Sequence, residues 1–170
     1  GSKGNATIVV ADNKVILIDM GVPLVRLESG MEEIGLTPKD IDFALFTHNH
    51  SDHIRGLNFL PIKKQYALHR TLPTSGYNIL EVNTPLIIDN LSITPIRTSH
   101  DAINPCGFLI KDNEESLFYM TDTGMFLEEN LSLVKNPTYL IIESNHDIQM
   151  LMKTNRPMEL KQRILSDVGH

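Results

Sequence analysis

Several residue types that support common functions are scarce in this sequence. The 170 residues include one cysteine, no tryptophan and only 6% aromatic residues. A single cysteine, Cys106, cannot form an intramolecular disulfide or a cysteine metal cluster. We therefore expect Cys106 to be a small packed residue. The absence of a disulfide also suits a reducing compartment, so we expect a cytoplasmic protein. No apolar run approaches the roughly 20 residues that a membrane-spanning helix requires, and no secretory signal is recognisable, so a membrane partner is not expected.

Positive charge is also in deficit. Lysine and arginine number 15 against 21 acidic residues, which leaves a formal net charge of −6. This balance argues against a surface that coats nucleic acid throughout, although it leaves room for a local basic groove. One basic stretch near the end could contact a nucleic-acid backbone or could be the solvated face of helices. It comprises Lys153, Arg156, Lys161 and Arg163.

The remaining composition is that of an ordinary soluble globular protein. Hydrophobic residues make up 41% of the chain, and its length predicts one domain over residues 1–170. Short β-type runs at 7–10 and 14–18 flank the turn signal Asp12-Asn13, which predicts a hairpin. Further strands are predicted at 42–47, 66–68, 86–88, 91–96, 107–110, 116–120 and 138–142, and helices at 22–34, 126–134, 148–152 and 157–166. This order favours sheets with helices packed outside them.

The strongest motif is His-Asn-His-Ser-Asp-His at residues 48–53, directly after an apolar strand. Three of the seven histidines fall within it. Histidine nitrogens and aspartate oxygens are suitable ligands for zinc and similar divalent ions. Because His48, His50, Asp52 and His53 would crowd a single tetrahedral ion, we predict that they serve two adjacent ions across a turn. The alternative is a solvated polar loop with chance histidines.

Further ligands are expected where other elements end. His100 and Asp122 follow predicted strands, and His170 follows the last predicted helix. A lone histidine or aspartate after a strand is more often a cap or turn residue. These three residues gain weight from their order along the chain.

The order His-x-His-x-Asp-His, His, Asp, His resembles the metallo-β-lactamase superfamily. Local strings resemble its YycJ-like (WalJ-like) branch over essentially the whole chain. They are Gly1–Asn5, Ser99–Ala102, Thr121–Gly124, Glu143–Asp147 and Gly169–His170. The resemblance implies an α/β metallo-β-lactamase fold, which is an αββα four-layer sandwich. The family pattern extends beyond both ends of this sequence, so the resemblance also implies truncation at one or both ends.

The same resemblance implies a complete ligand set for two divalent ions, with zinc expected and manganese as the alternative. The first ion would be held by His48, His50 and His100, the second by Asp52, His53 and His170, and Asp122 would bridge them. Asp52 is also expected to take part in catalysis. The early Asp19 would hold a ligand histidine or a ligand loop, or would simply end a strand.

The activity implied by the resemblance is metal-dependent hydrolysis of phosphodiesters by a metal-bound hydroxide, as in a 5′-to-3′ DNA exonuclease. Two divalent ions with two carboxylate ligands keep about two positive charges, which suits an anionic substrate or transition state. DNA would then be the partner. The alternatives are a hydrolase of small esters, lactones or thioesters with the same ligands, and a metal-binding module without enzymatic activity.

His146 follows the predicted strand at 138–142 and is the second candidate catalytic residue. It could donate a proton to the leaving oxygen or position a phosphate, or it could be a satisfied residue at the start of a helix. Asn145 is a candidate for orienting substrate. Asp101 either supports the metal site or belongs to a local turn.

Overall fold

Residues 3–143 and 146–170 are described by the computed structural model, and Asn145 therefore lies outside the described residues. Within these ranges the chain forms two five-stranded sheets. The first sheet has the order β1 (Thr7–Ala11), β2 (Lys14–Ile18), β3 (Phe43–Phe46), β4 (Gln65–Leu68) and β5 (Asn78–Leu80). The second has the order β10 (Tyr139–Ile142), β9 (Ser116–Met120), β8 (Cys106–Lys111), β7 (Leu91–Arg97) and β6 (Leu86–Ile88).

Four α-helices accompany the sheets in the described residues. They are α1 (Leu24–Glu32), α2 (Ser51–Ile54), α3 (Ile148–Lys153) and α4 (Met158–Ile164). Short 3₁₀ turns occupy Pro38–Asp40, Leu57–Phe59, Ile62–Lys64 and Glu128–Asn130. None of the helices in the described part of the chain is long and apolar enough to cross a membrane.

Alternation of side chains along the strands builds two apolar layers around the first sheet. In β2, Ile16 and Ile18 point into the cluster between the sheets, where they meet Phe108 of β8. Leu17 points the opposite way, into the cluster that also contains Met31 of α1. Successive side chains in a strand face opposite sides of the sheet. The continuous apolar run of β2 is therefore explained by burial of both faces of this strand.

Strand direction brings the functional loops to one edge. In the first sheet, β2 and β3 are parallel, so the chain leaves both strands at the same edge. In the second sheet, β9 and β10 are parallel, and β7 shares their direction because β8 is antiparallel to both β7 and β9. The residues that follow these five strands can therefore meet.

Most predicted elements are confirmed with boundary shifts of one or two residues. The hairpin turn is present, and Asp12 and Asn13 both adopt positive φ angles. Cys106 is a packed residue, and burial raises the pKa of its thiol, which therefore stays protonated. The three-residue strand β5 was not predicted, since it is too short to show alternation.

The predicted helix at 126–134 is wrong. In the described residues this segment contains only the 3₁₀ turn at Glu128–Asn130. Asn130 is fully buried, and its side-chain amide donates to the carbonyl of Arg97 at 2.8 Å. Phe126 and Val134 pack on the outer face of the second sheet. These tertiary contacts outweigh the local preference for a longer helix.

Candidate metal centre

The motif at residues 48–53 begins where β3 ends and turns directly into α2. Thr47 and His48 follow the strand, His50 has an extended backbone (φ −66°, ψ 146°), and Asp52 and His53 lie in α2. This change from strand to helix separates the four predicted ligands around a bend. His48 and His53 are buried, whereas His50 and Asp52 are partly exposed.

Three backbone segments approach each other closely beneath α2. The amide of Asn5 donates to the carbonyl of Asp52 at 2.8 Å, and the amide of Gly21 donates to the carbonyl of Asn5 at 2.7 Å. A Cβ on Gly21 would overlap the carbonyl oxygen of Asp52. Gly4 has a φ of +104°, and a Cβ there would overlap the carbonyl of Gly21. The two glycines therefore permit the packing that holds α2 in place.

Six of the predicted ligands converge at the edge shared by the two sheets. Their candidate ligand atoms form three groups, within each of which all atoms lie within 4.8 Å of one another. The groups are His48 with His50 and His100, His48 with His53 and Asp122, and His100 with Asp122 and His170. His48, His100 and Asp122 each belong to two of the groups, so the three groups form one continuous cluster. Asp52 belongs to none of the three.

Asp52 lies beside the cluster through Asn5. The Nδ2 atom of Asn5 is 3.4 Å from Asp52 Oδ2 and 2.8 Å from His53 Nε2. In the sequence, Asn5 is significant only as part of the string Gly1–Asn5, which resembles the YycJ-like branch. In the structure it contacts both α2 residues that were assigned to the second ion.

Asp19 holds the histidine of α2 from behind. Its Oδ2 is 2.8 Å from His53 Nδ1, and both of its oxygens accept hydrogen bonds from Thr47, from the amide and from the hydroxyl, each at 2.8 Å. Both Asp19 and His53 are fully buried. The structure thus brings Asp19 to a predicted ligand histidine, where it could play the supporting role expected for it. Thr47 was missed, although it ends the strand that precedes the motif.

Glu143 plays the corresponding part for His170. Its Oε2 is 3.0 Å from His170 Nδ1, and its Oε1 accepts a hydrogen bond from the amide of Thr123. It therefore connects the last predicted ligand to the loop that carries Asp122. Sequence reasoning did not single out Glu143. The signal was available, because Glu143 directly follows β10 as Asp122 follows β9.

The electrostatics of the cluster favour a cation beside Asp122. Burial opposes protonation of His53, but hydrogen bonds to Asp122 and Asp19 raise its pKa to about 9. Burial also opposes ionisation of Asp122, yet its hydrogen bond with His53 (2.6 Å) holds its pKa well below the usual range. Two carboxylates converging on one imidazole favour positive charge there, and a divalent ion would meet the same demand.

His48 has the properties that a metal ligand requires. Burial, followed by the charges of nearby histidines, lowers its pKa to about 2, so its imidazole is neutral. Its Nε2 is buried without a hydrogen-bond partner among the residues that the structure describes, 3.5 Å from Asp122 Oδ2. Burying an unpaired imidazole nitrogen is costly. Coordination would satisfy this nitrogen, so the residues present fit divalent metal ions.

Asp19 and Asp122 both adopt uncommon backbone conformations. The φ angles of Asp19 and Asp122 are 60° and 54°, in the left-handed region. Aspartate tolerates this region better than most residues, but still at some cost. In this conformation the backbone turns just after the strand, so that each carboxylate faces the cluster.

A groove of about 690 Å³ lies beside His170. Its lining residues are His146, Asp147, Met150, Leu151, Thr154, Arg156, Ile164 and His170. His146 is exposed and precedes Asp147, whose carboxylate caps α3 by accepting from the amide of Met150 at 2.8 Å. The capping function therefore belongs to Asp147 and not to His146.

The basic stretch is divided by the fold. Lys161 is buried, and its ammonium donates to the carbonyls of Met152 and Thr154, each at 2.8 Å, which is a structural role. Arg163 pairs with Asp101. Lys153 and Arg156 are exposed, and Arg156 alone of the four lines the groove.

Comparison with known proteins gives a consistent result. The family model described as the beta-lactamase superfamily domain matches residues 15–169. Exodeoxyribonuclease WalJ of Streptococcus pneumoniae is 32% identical over 185 aligned residues, and exodeoxyribonuclease YycJ of Bacillus anthracis is 33% identical over 183. Both alignments cover 100% of this chain and 69% of the relative.

Solved structures with lower identity share the fold. The metallo-β-lactamase fold protein YhfI of Bacillus subtilis superposes with a TM-score of 0.67 at 18% identity, over 84% of this chain and 64% of that one. Zinc-bound PqqB of Methylobacterium extorquens gives a TM-score of 0.65 at 14% identity, over 81% and 59% of the two chains. The expected α/β metallo-β-lactamase fold is confirmed.

The contact between Asp19 and His53 yields a test of metal binding. We expect Asp19→Asn to weaken divalent-metal affinity about 10- to 100-fold, because the carboxylate that orients His53 and raises its basicity is lost. Titration of the metal-stripped protein against a chromophoric chelator measures this affinity. Asp89→Asn, at an exposed carboxylate paired with Lys14, is the matched control. Equal affinity for both variants would contradict the role assigned to Asp19.

Proposed function

This chain belongs to the β-lactamase superfamily and has the metallo-β-lactamase fold, and on this premise we propose that it is a metal-dependent exodeoxyribonuclease acting in the 5′-to-3′ direction. The observation that carries the proposal is the convergence of histidine and aspartate side chains at one sheet edge, in a chain about one-third identical to two exodeoxyribonucleases. DNA is the proposed substrate.

The proposed ligand assignment uses two divalent ions. His48, His50 and His100 would hold the first, and Asp52, His53 and His170 the second, with Asp122 shared. The first set coincides with one geometric group, and Asp122 and His170 share another. Zinc suits these nitrogen and oxygen donors, with manganese as the alternative. When bound, such ions activate water and stabilise the attacking and leaving oxygens of a phosphodiester.

The protein's own contribution begins with orientation of the ligands. Asp19 and Thr47 contact the Nδ1 side of His53 at 2.8 and 3.3 Å, which leaves its Nε2 directed at Asp122. Glu143 contacts His170 Nδ1. Carboxylates in such positions select the tautomer and the ring orientation of a ligand histidine. The site is thereby organised before substrate arrives, which reduces the reorganisation needed during reaction.

A phosphodiester matches the charge of this edge. Two divalent ions with the carboxylates of Asp52 and Asp122 would keep about two positive charges. A small neutral ester would gain less from this residual charge than a phosphate anion. The preference therefore supports nucleic acid over the lactone or thioester alternative.

His146 is the proposed proton donor to the leaving oxygen. Hydrolysis adds the hydroxyl of one water to phosphorus and delivers a proton to the oxygen whose bond to phosphorus breaks. His146 is exposed, lines the same groove as His170 and is not required to cap α3. An imidazole in this position can hold the proton and release it at the leaving oxygen.

Arg156 is the proposed contact for the DNA backbone in the groove. Its side chain is exposed and lies in the groove lining beside apolar residues such as Met150 and Leu151. A guanidinium binds phosphate oxygens well, and apolar side chains offer surfaces to unstacked bases. The groove would guide one strand toward the metal centre.

The activity itself is tested with DNA labelled at either the 5′ or the 3′ end. We expect the metallated protein to release nucleotides from the 5′ end, which is the direction that the resemblance to the YycJ-like branch implies. Bound ions would supply the activated water. Activity should disappear after chelation and return with zinc or manganese. If well-metallated protein leaves DNA and RNA intact while it hydrolyses a lactone or thioester, the nuclease proposal is wrong.

The role of His146 predicts a dependence on the leaving group. We expect His146→Ala to lower kcat on DNA about 100-fold with KM little changed, because a proton donor acts in the transition state. The loss should be much smaller on a nucleotide p-nitrophenyl ester, whose leaving group departs without a proton. His69→Ala, at another exposed histidine, is the control. An equal loss on both substrates would contradict proton donation.

The role of Arg156 predicts an effect on DNA binding that can be measured in the absence of hydrolysis. We expect Arg156→Gln to weaken DNA binding by the chelated protein about tenfold at low salt, because one phosphate contact is lost. The slope of log K against log salt should fall by about one. Fluorescence anisotropy measures both quantities. Arg26→Gln, at an exposed arginine of α1, should change neither, and an unchanged salt slope for Arg156→Gln would exclude it from the DNA path.

A further inference from the structure

The segment from α4 to His170 is attached to the loop that carries His100. The hydroxyl of Ser99 donates to the carbonyl of Asp167 at 2.6 Å. His100 Nδ1 lies 3.3 Å from the carbonyl of Val168. Ser99 and His100 thus contact the carbonyls of two successive residues, Asp167 and Val168. Each of the two loops carries a predicted metal ligand, His100 or His170.

An ion pair makes a second connection between the same two elements. Arg163 of α4 donates to Asp101 Oδ2 twice, from Nε at 2.9 Å and from a terminal nitrogen at 2.6 Å. The other carboxylate oxygen, Asp101 Oδ1, is 3.4 Å from His100 Nδ1. One carboxylate therefore contacts both the guanidinium of α4 and the imidazole of a predicted ligand.

Close backbone packing connects this segment to the loop of Asp122 as well. The amide of Gly124 donates to the carbonyl of Ser99 at 2.7 Å. A Cβ on Gly124 would overlap the carbonyls of Asp167 and Gly169. The segment can lie this close only because position 124 has no side chain. The three loops that bear His100, Asp122 and His170 therefore form one packed unit.

We propose that the Asp101–Arg163 pair is a positioning clamp that holds α4 and His100 together and so brings His170 into reach of the metal shared with Asp122. The clamp rests on the proposed function, because it takes His100, Asp122 and His170 as ligands. Arg163 lies only seven residues before His170, so a shift of α4 displaces that ligand. Asp101 additionally fixes the orientation of the His100 ring.

Because the Asp101–Arg163 pair is partly exposed, its effect on metal binding can be distinguished from an effect on the stability of the fold. The side chains of Arg163 and Asp101 are 50% and 32% exposed. An ion pair this exposed contributes little to the free energy of unfolding. Its removal should leave the metal-free fold intact while it changes metal affinity, because ligand geometry is far more sensitive to small displacements.

The experiment is a double-mutant cycle on metal binding. Arg163→Gln and Asp101→Asn should each weaken binding of the less tightly held ion about tenfold, and the double variant should be no weaker than either single one, because both remove the same clamp. Arg163→Lys should recover part of the affinity. Chelator competition measures these affinities, and thermal unfolding of the metal-free variants should match that of Arg26→Gln and the parent protein.

Three outcomes would overturn the clamp. The first is unchanged metal affinity in both single variants. The second is additive losses in the double variant. The third is a loss of DNA affinity by chelated Arg163→Gln without any change in metal binding, which would make Arg163 a phosphate contact. His170→Ala serves as the reference, since retention of both ions by that variant would overturn the ligand assignment of the proposed function and not the clamp alone.

Discussion

The buried carboxylate of Asp19 is the contact on which the rest of the centre depends. A fully buried charge is tolerated only when its hydrogen bonds are satisfied, and Asp19 obtains them from Thr47 and His53. These bonds tie the end of β2 to the end of β3 and to α2. The Nε2 atom of His53 consequently faces Asp122, which follows β9 of the second sheet. Without this carboxylate, Thr47 would lose two hydrogen bonds and His53 would lose its orienting partner.

The two sheets contribute unequal kinds of support. The first sheet supplies a motif confined to six consecutive residues, held by Asp19 and by the close approach of Gly21 to α2. On the side of the second sheet, single residues come from separate elements, since His100 follows β7, Asp122 follows β9 and His170 follows α4. Glu143 supports His170, and Asp101 contacts His100. Organisation on this side therefore depends on contacts between residues far apart in the sequence, both through these side chains and through the backbone packing at Gly124.

The region around α3 and α4 combines structural and functional groups within a short stretch. Lys161 is committed to carbonyls of the preceding loop, and Arg163 is committed to Asp101. Arg156 and His146 are exposed in the lining of the groove, and they are the residues proposed to meet substrate. The four basic residues between positions 153 and 163 therefore differ in what their side chains contact, which their spacing in the sequence does not show.

By itself, the sequence predicted the fold class, nearly all strands and the candidate metal ligands. These predictions follow from apolar periodicity, from a dense local motif and from the resemblance to a known superfamily. It did not single out Thr47, Asn5 and Glu143. The contacts of Asn5 and Glu143 join residues far apart along the chain, and Thr47 acts together with Asp19 across two strands. The sequence also mispredicted a helix at 126–134, where contacts of Asn130 and Phe126 with the second sheet prevail. Only the tertiary structure decided which polar residues meet, because parallel strands of two sheets bring distant strand ends to one edge.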